Sequence, residues 1–504
     1  MSSREAMHAR RALPPPDNPC PPGAIGGAYR PLSTTDIKAI YETALRILAE
    51  VGMGETPEVL QHRALEAGAY LNNENRLCFP ASLVEDVIAG ACKSFVLYGR
   101  DSQHDVEVGG ERVYFGTGGA AVKVLDMDSR VYRPSTLKDL YDFTRLADQL
   151  NNVSWFTRCC IATDVVDIFD LDVNTVYALM RGTIKPVGTS FTLAEHVDPI
   201  IDMLDRLTTS AGGFTERPFL KAHISPVISP LRFGADAVDV ALACINRNVP
   251  INNIVAAQSG ATAPATLAGM LASTLAETLA ALAMVNLFAP GYPMIFSNWP
   301  LVIDLRSGSF AGGGGEISLL NAASAQISNW LGLPSGVACS MADAKAVDAQ
   351  MGLEKAISSL ATGLAGANMV YESSGMMASL LGASFEAFVI DDEMLSHVYR
   401  VIRGIEVNDD TLGFQAIREA ALGDGHFLGG AHTIAAMQRD HFYPSLADRN
   451  EPETWRQEGA LDISTRATVK VRSMLDSHHP EYLDASMDRW IRNHYNILLD
   501  TSRS

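Results

Sequence analysis

At 504 residues, 47% of them hydrophobic and 19% charged, the chain carries enough apolar material for a large core and lacks the charge density of a disordered protein. A formal net charge of −19 with no basic run excludes a nucleic-acid partner, because binding a phosphate backbone needs clustered Lys and Arg that displace counterions. Seven cysteines, an odd number with no Cys-x-x-Cys and no zinc-finger spacing, point to a reducing cytoplasm and to no structural metal.

Residues 1–22 hold arginines and the cluster Pro14, Pro15 and Pro16 but no apolar stretch, so no signal peptide is read there. Residues 1–32 are expected to form a flexible arm. Residues 33–113 read as a helical segment: Ser33 and Thr34 are N-cap candidates for one amphipathic stretch, a second lies at 57–67 and a third follows Pro80.

From 114 to 376 short apolar runs ending in Gly, Ser or Asp alternate with longer helical stretches. The runs lie at 114–118, 154–163, 186–191, 219–225, 251–258, 292–299, 335–341 and 368–373. Helices are predicted at 137–150, 172–181, 198–208, 235–246, 265–288, 317–331 and 352–365, with an extra turn or hairpin at 126–134 in the first crossover. Eight such units imply parallel strands joined by right-handed crossovers, closed into an α/β barrel; an open doubly wound sheet is the alternative. The uncharged stretch 278–303 contains Pro290, Gly291, Pro293 and Pro300, which suits a buried helix, a turn and a strand and not a membrane span. Residues 377–504 read as a helical segment packed on the barrel. There Asp391, Asp392 and Glu393 are expected to open one helix, and Asp409 and Asp410 to cap another.

In such a barrel the reacting groups project from the C-terminal strand ends. That rim holds Thr117, Thr163, Asp164, Ser190, Phe191, His223, Ser225, Gln258, Ser297, Asn298, Trp299, Met341, Asp343, Tyr371 and Glu372. It has no metal-binding cluster, and no GxSxG, Walker or GxGxxG motif appears. The run Gly312 to Gly315 before a helix is either an anion site or a mobile loop. What the rim does offer is aromatic surface, Phe191, Phe296, Trp299 and Tyr371, whose ring faces attract alkylated ammonium ions.

The segments Gly116-Thr117-Gly118, Arg133-Pro134-Ser135-Thr136, Asp343-Ala344-Lys345 with Asp348-Ala349-Gln350, Leu364-Ala365-Gly366-Ala367-Asn368, Val389-Ile390-Asp391 and Gly425-His426-Phe427-Leu428-Gly429 stand in collinear order. Over about residues 35–450 the chain resembles the trimethylamine:corrinoid methyltransferase family. The resemblance implies a TIM barrel that takes a methyl group from an amine and passes it to a separate corrinoid-binding protein, with no tightly bound cofactor of its own. It also implies a homo-oligomer. Archaeal trimethylamine members carry pyrrolysine just before the Ser-Asp-Ala-Lys segment; Met341 stands at the matching position, followed by Ala342, Asp343, Ala344 and Lys345.

Members without pyrrolysine resemble the branch that acts on quaternary amines such as glycine betaine. A quaternary ammonium leaves as a neutral amine directly, whereas neutral trimethylamine must first be made a better leaving group. The expected pocket walls are Phe191, Phe296, Trp299 and Tyr371, and Gln258, Asn298, His223 and Arg306 are the candidates for meeting a substrate carboxylate. Met341 is expected to be a neutral space-filler. A folate acceptor, a trimethylamine donor and a non-catalytic amine-binding barrel are the alternatives.

Overall fold

The computed structural model describes residues 18–208 and 212–500. Eight parallel strands follow one another around a single sheet: β1 (Tyr114–Phe115), β2 (Phe156–Thr157), β3 (Val187–Thr189), β4 (Leu220–Ile224), β5 (Ile251–Val255), β6 (Met294–Asn298), β7 (Ser335–Ala338) and β8 (Met369–Tyr371). β8 pairs back onto β1 through Met369–Tyr114 and Val370–Phe115. β1 in turn reaches the segment leading into β2, where Ser154 N–H donates to Phe115 O at 2.9 Å and Thr117 N–H to Trp155 O at 3.4 Å. The ring is closed and leaves no strand edge. Each of the eight apolar runs contains one of these strands, and the parallel barrel expected from the alternation is what forms.

Eight helices surround it: α1 (Leu137–Asp148), α2 (Ile168–Gly182), α3 (Val197–Asp205), α4 (Ala235–Asn246), α5 (Leu267–Phe288), α6 (Gly315–Leu331), α7 (Ala349–Leu364) and α8 (Phe385–Arg403). Their starts are set locally. Thr136 and Asp139 form a capping box on α1, and Asp167, Asp348 and Ser384 cap α2, α7 and α8. α5 is apolar all round because the helices Thr34–Arg46, Glu58–Glu66 and Ala81–Gly90 cover the side that the sheet does not. By length and composition it could cross a membrane, yet 89% of its apolar window is buried inside the protein.

Four expectations need correction. α8 starts at Phe385, so Asp391, Asp392 and Glu393 lie in the middle of the eighth barrel helix and do not open a helix after it. The next helix, Asp409–Leu412, is capped by Asn408. Residues 94–109 hold an antiparallel ribbon, Ser94–Leu97 with Val106–Gly109, inside the segment read as helical. The expected arm is tied down where it is described: Gly23 and Gly26 donate to Val113 O and Glu111 O at 2.8 Å, and Cys20 is buried. Residues 1–17 of that arm lie outside the described residues.

One buried ion pair links the helix layer to the loops above the barrel. Lys355 on α7 stands 2.9 Å from Asp391 on α8, each side chain 1% exposed. Its Nζ also donates to Ser340 O at 2.9 Å, while Asp391 accepts the Gly375 N–H at 2.7 Å. The loops after β7 and β8 are thereby pinned to the same two charges. Lys355→Met strands a buried carboxylate and is expected to cost about 3–5 kcal/mol in urea unfolding, with Lys355→Met/Asp391→Leu recovering most of it; a loss below about 1 kcal/mol would show that the pair anchors nothing.

Candidate active site

Strand alternation puts Lys221 and His223 of β4 on the inner face of the barrel. Lys221 pairs with Gly188 on β3 and His223 with Asn252 on β5. Glycine is needed at 188, since a Cβ there would stand 2.6 Å from Thr157 Oγ1 and 2.8 Å from Lys221 Nζ. The buried Lys221 Nζ donates to Thr157 Oγ1 at 2.8 Å and to His223 Nε2 at 2.9 Å. Asn252 Nδ2 also donates to His223 Nε2, at 3.2 Å, and Asn252 Oδ1 accepts the Ser297 hydroxyl. Ser297 thus fixes the amide, and the amide and the lysine fix the imidazole. With Nε2 accepting, the ring proton sits on Nδ1, which has no protein partner among the described residues.

Around this chain the aromatic rings close in on Tyr371. Its centroid lies 5.2 Å from Trp155, 5.0 Å from His223 and 5.4 Å from Trp299, while His223 and Trp299 are 6.5 Å apart. Lys221 Nζ stands 4.8 Å from the same centroid. Tyr371 is fully buried and its hydroxyl points to Met369 Sδ at 3.6 Å, so it is a floor and not a wall. Trp299 lies at the rim, 8% exposed, and its Nε1–H is buried without an acceptor.

Burial drives the ionisable groups here toward their neutral forms. Lys221 is pulled well below the ordinary lysine range by desolvation, and His223 well below the imidazole range by desolvation, then Lys221, then Arg158. Glu372, next to Tyr371, is pushed up to about 8 by burial, against the pull of Lys355 and Lys221. Glu372 holds φ 66°, in the left-handed region. Its carboxyl lies over Gly118 and Gly119, where a Cβ would come within 2.9 and 2.7 Å of its oxygens. Gly116 lies under the Trp155 indole in the same way, and Trp155 Nε1 donates to Thr117 O at 3.1 Å. The Gly-Thr-Gly segment is therefore a bed for Trp155 and Glu372.

Met341 is fully buried after β7, and a Cβ at Gly312 would stand 2.6 Å from its Sδ. The polar groups near it serve the backbone: Asp343 accepts the N–H groups of Gly312 and Gly313 at 2.7 and 3.0 Å and the Ser379 hydroxyl at 2.7 Å. The four-glycine run thus already holds an anion, the protein's own.

Of the residues singled out from the sequence, Trp299, Tyr371 and His223 come together. Phe296 and Asn298 do not join them, because alternation turns both to the face opposite Ser297 and Trp299, toward the helices. Phe191 is buried after β3 and stacks on none of the three rings. Gln258 sits above the barrel in a short parallel pairing with Leu301. Arg306 is 91% exposed and bound to Asp304 at 2.8 Å, well away from the cup. The residues missed are Lys221, Asn252 and Trp155. A lysine two positions before His223 in a buried strand was the available signal for the first. Among the described residues no group of three or more His, Cys, Asp or Glu is placed to hold a metal.

Residues 2–496 match the trimethylamine methyltransferase family. A trimethylamine methyltransferase of Methanosarcina barkeri is 30% identical over 480 residues, covering 92% of this chain and 94% of that protein. A glycine betaine methyltransferase of Desulfitobacterium hafniense is 26% identical, covering 92% and 96%. The monomethylamine methyltransferase of Methanosarcina barkeri, a solved structure, superposes with a TM-score of 0.47 at 14% identity over 88% of this chain and 93% of that one. The chain belongs to the trimethylamine methyltransferase family and is a methyltransferase.

Proposed function

We propose that the protein takes a methyl group from a quaternary methylated amine of the glycine betaine type and passes it to cobalt(I) of a corrinoid carried by a separate protein. The carrying observation is a cluster of rings at the strand ends, Trp299, His223 and Tyr371, whose ionisable neighbours are driven toward their neutral forms by burial. The nitrogen loses its positive charge as the methyl leaves, so a fixed negative charge would stabilise the starting cation more than the transition state. Ring faces attract the cation more weakly, by about 0.5–2 kcal/mol each.

The corrinoid, as methyl acceptor, supplies the cobalt nucleophile. The chain's own residues hold the N–CH3 axis in line and exclude water. As that bond breaks its electron pair stays on nitrogen, and a quaternary donor departs as a neutral amine without needing a proton. Met341 fits this chemistry, because a buried thioether offers neither an acid nor an electrophile at the position where the resembling trimethylamine enzymes carry pyrrolysine. The name of the glycine betaine methyltransferase of Desulfitobacterium hafniense supports the donor class.

Incubating the protein with glycine betaine and a reduced corrinoid is expected to produce the methylcobalamin absorption spectrum together with dimethylglycine. Transfer only to a folate, or only from trimethylamine, would overturn the proposal. Trp299→Leu keeps apolar bulk without the ring face and is expected to weaken donor binding about 3- to 30-fold by calorimetry.

Glu372 gives a pH signature. Its folded pKa of about 8 lies above the ordinary 4.5, so its contribution to stability is complete below pH 4.5 and is lost as pH rises toward 8. Glu372→Gln, which stays neutral, is expected to become progressively more stable than wild type from pH 5 to 9, by a few kcal/mol at the alkaline end. Parallel stability curves for the two proteins would show that Glu372 is ionised throughout.

A further inference from the structure

Helix α8 runs back along β8 and ends at the opposite end of the barrel from the ring cluster. Near its last turn the Tyr399 hydroxyl donates to Val113 O at 3.3 Å and accepts the Phe115 N–H at 3.2 Å, at the entry to β1. The chain leaves α8 at Gly404 and returns beside the same turn, where Arg400 donates to Asp440 O at 2.7 Å and Arg403 to Arg439 O at 2.6 Å. Residues 404–438 are therefore an excursion with a single root, at the end of the barrel where the strands enter.

Among the described residues nothing covers the apolar side chains of this arm. None of its helices, Asp409–Leu412, Phe414–Leu422 and Ala431–Arg439, contains a buried residue. Ile405, Val407, Leu412, Phe414, Leu422 and Leu428 are each at least 60% exposed, and Ile417 and Phe427 are half-exposed. Phe427 and Leu428 belong to the Gly425 to Gly429 run. Helices of nine residues owe their stability to packing an apolar face and not to propensity. These eight side chains expose on the order of 1,000 Å², above the roughly 300–600 Å² of the largest apolar patch on an ordinary monomer and enough for the ~800 Å² that each partner gives a stable interface.

Whatever docks on the ring cluster approaches the C-terminal strand ends, so it does not cover the arm. The chain itself carries a matching surface. Leu353 and Ile357 stand one turn apart on the outer face of α7, 61% and 50% exposed, and α7 packs on α8, where Val401 is 52% exposed. Leu360 and Leu364 of α7 and Phe442 of the returning chain pack against one core cluster, so this stripe runs on to the root of the arm. The arm leaves its own stripe uncovered. Two copies related by a two-fold axis can each lay the arm on the stripe of the other, a contact that closes on itself. With a net charge of −19, two copies repel over most of their surface and attract through such uncharged area. We propose that residues 404–438 are an exchange arm that docks on the α7–α8 stripe of a second copy of this chain, forming a two-fold dimer whatever the methyl donor.

Sedimentation velocity of the full chain at about micromolar concentration tests the arm. Wild type is expected to sediment as a dimer or a multiple of dimers, and added salt should leave it assembled, since an apolar contact is not screened. Phe414→Asp/Leu422→Asp in the arm and Leu353→Asp/Ile357→Asp on the stripe should each weaken the dimer at least about 100-fold. The uncharged versions Phe414→Ser/Leu422→Ser and Leu353→Ser/Ile357→Ser should move it the same way by about tenfold. Thermal melting followed by circular dichroism separates dissociation from misfolding. Mixing the arm variant with the stripe variant should restore dimers in part, because the intact arm of one then meets the intact stripe of the other. A monomeric wild type, or an arm variant that stays assembled, would overturn the proposal. So would a stripe variant that stays assembled while the arm variant dissociates, or a mixture that recovers no dimer.

Discussion

The interior of this barrel is organised around a lysine that has no carboxylate within hydrogen-bonding reach. Lys221 is fully buried, and its Nζ is satisfied by a threonine hydroxyl and an imidazole nitrogen. Placing a cationic group there is costly unless its neighbours supply hydrogen bonds. Those neighbours are in turn oriented by others: Ser297 holds Asn252, and Asn252 and Lys221 together decide which nitrogen of His223 carries its proton. The tautomer of the imidazole is therefore set in part by a residue two strands away in the hydrogen-bonded chain.

The same constraint explains the glycines. A barrel of this size fills its interior with side chains, so a long lysine, an indole and a buried glutamate need space ceded by neighbours. Gly188 yields it to Lys221, Gly116 to Trp155, and Gly118 with Gly119 to Glu372. Several segments that carry the family resemblance prove to be this kind of support. Arg133 grips Asp139 at 2.6 and 2.7 Å beside the α1 cap, Asn368 ties β8 to Gly110 O and Arg112 O, and Asp391 anchors the loops through Lys355. They fix where the cup stands without touching what enters it.

The barrel was legible because eight short apolar runs alternating with longer helical stretches leave few other arrangements. The site was legible only in part. Trp299, Tyr371 and His223 could be named because they end strands, but Phe296 and Asn298 were placed with them although they fall on the opposite parity from Ser297. Counting alternation from Ser297 would have separated them. Arg306 was attractive as a cation after β6, yet the chain there makes a hairpin, Ile303 against Phe310, that carries it outward. Lys221 was hidden for another reason: a single lysine in a strand has no motif, and its meaning comes from which partners are within reach, which is a tertiary fact.

For the proposed quaternary donor, a ring cluster of this composition meets a conflict built into demethylating a cation. Affinity calls for negative charge near nitrogen, while turnover requires that the stabilisation not disappear as the nitrogen becomes neutral. Ring faces in place of a fixed anion ease the conflict: they contribute a weak attraction that costs little when it is lost. Neutral Glu372 belongs to the same logic. Were it ionised beside Tyr371, it would be the fixed anion that deepens the ground state, and burial against Gly118 and Gly119 is what keeps its proton on.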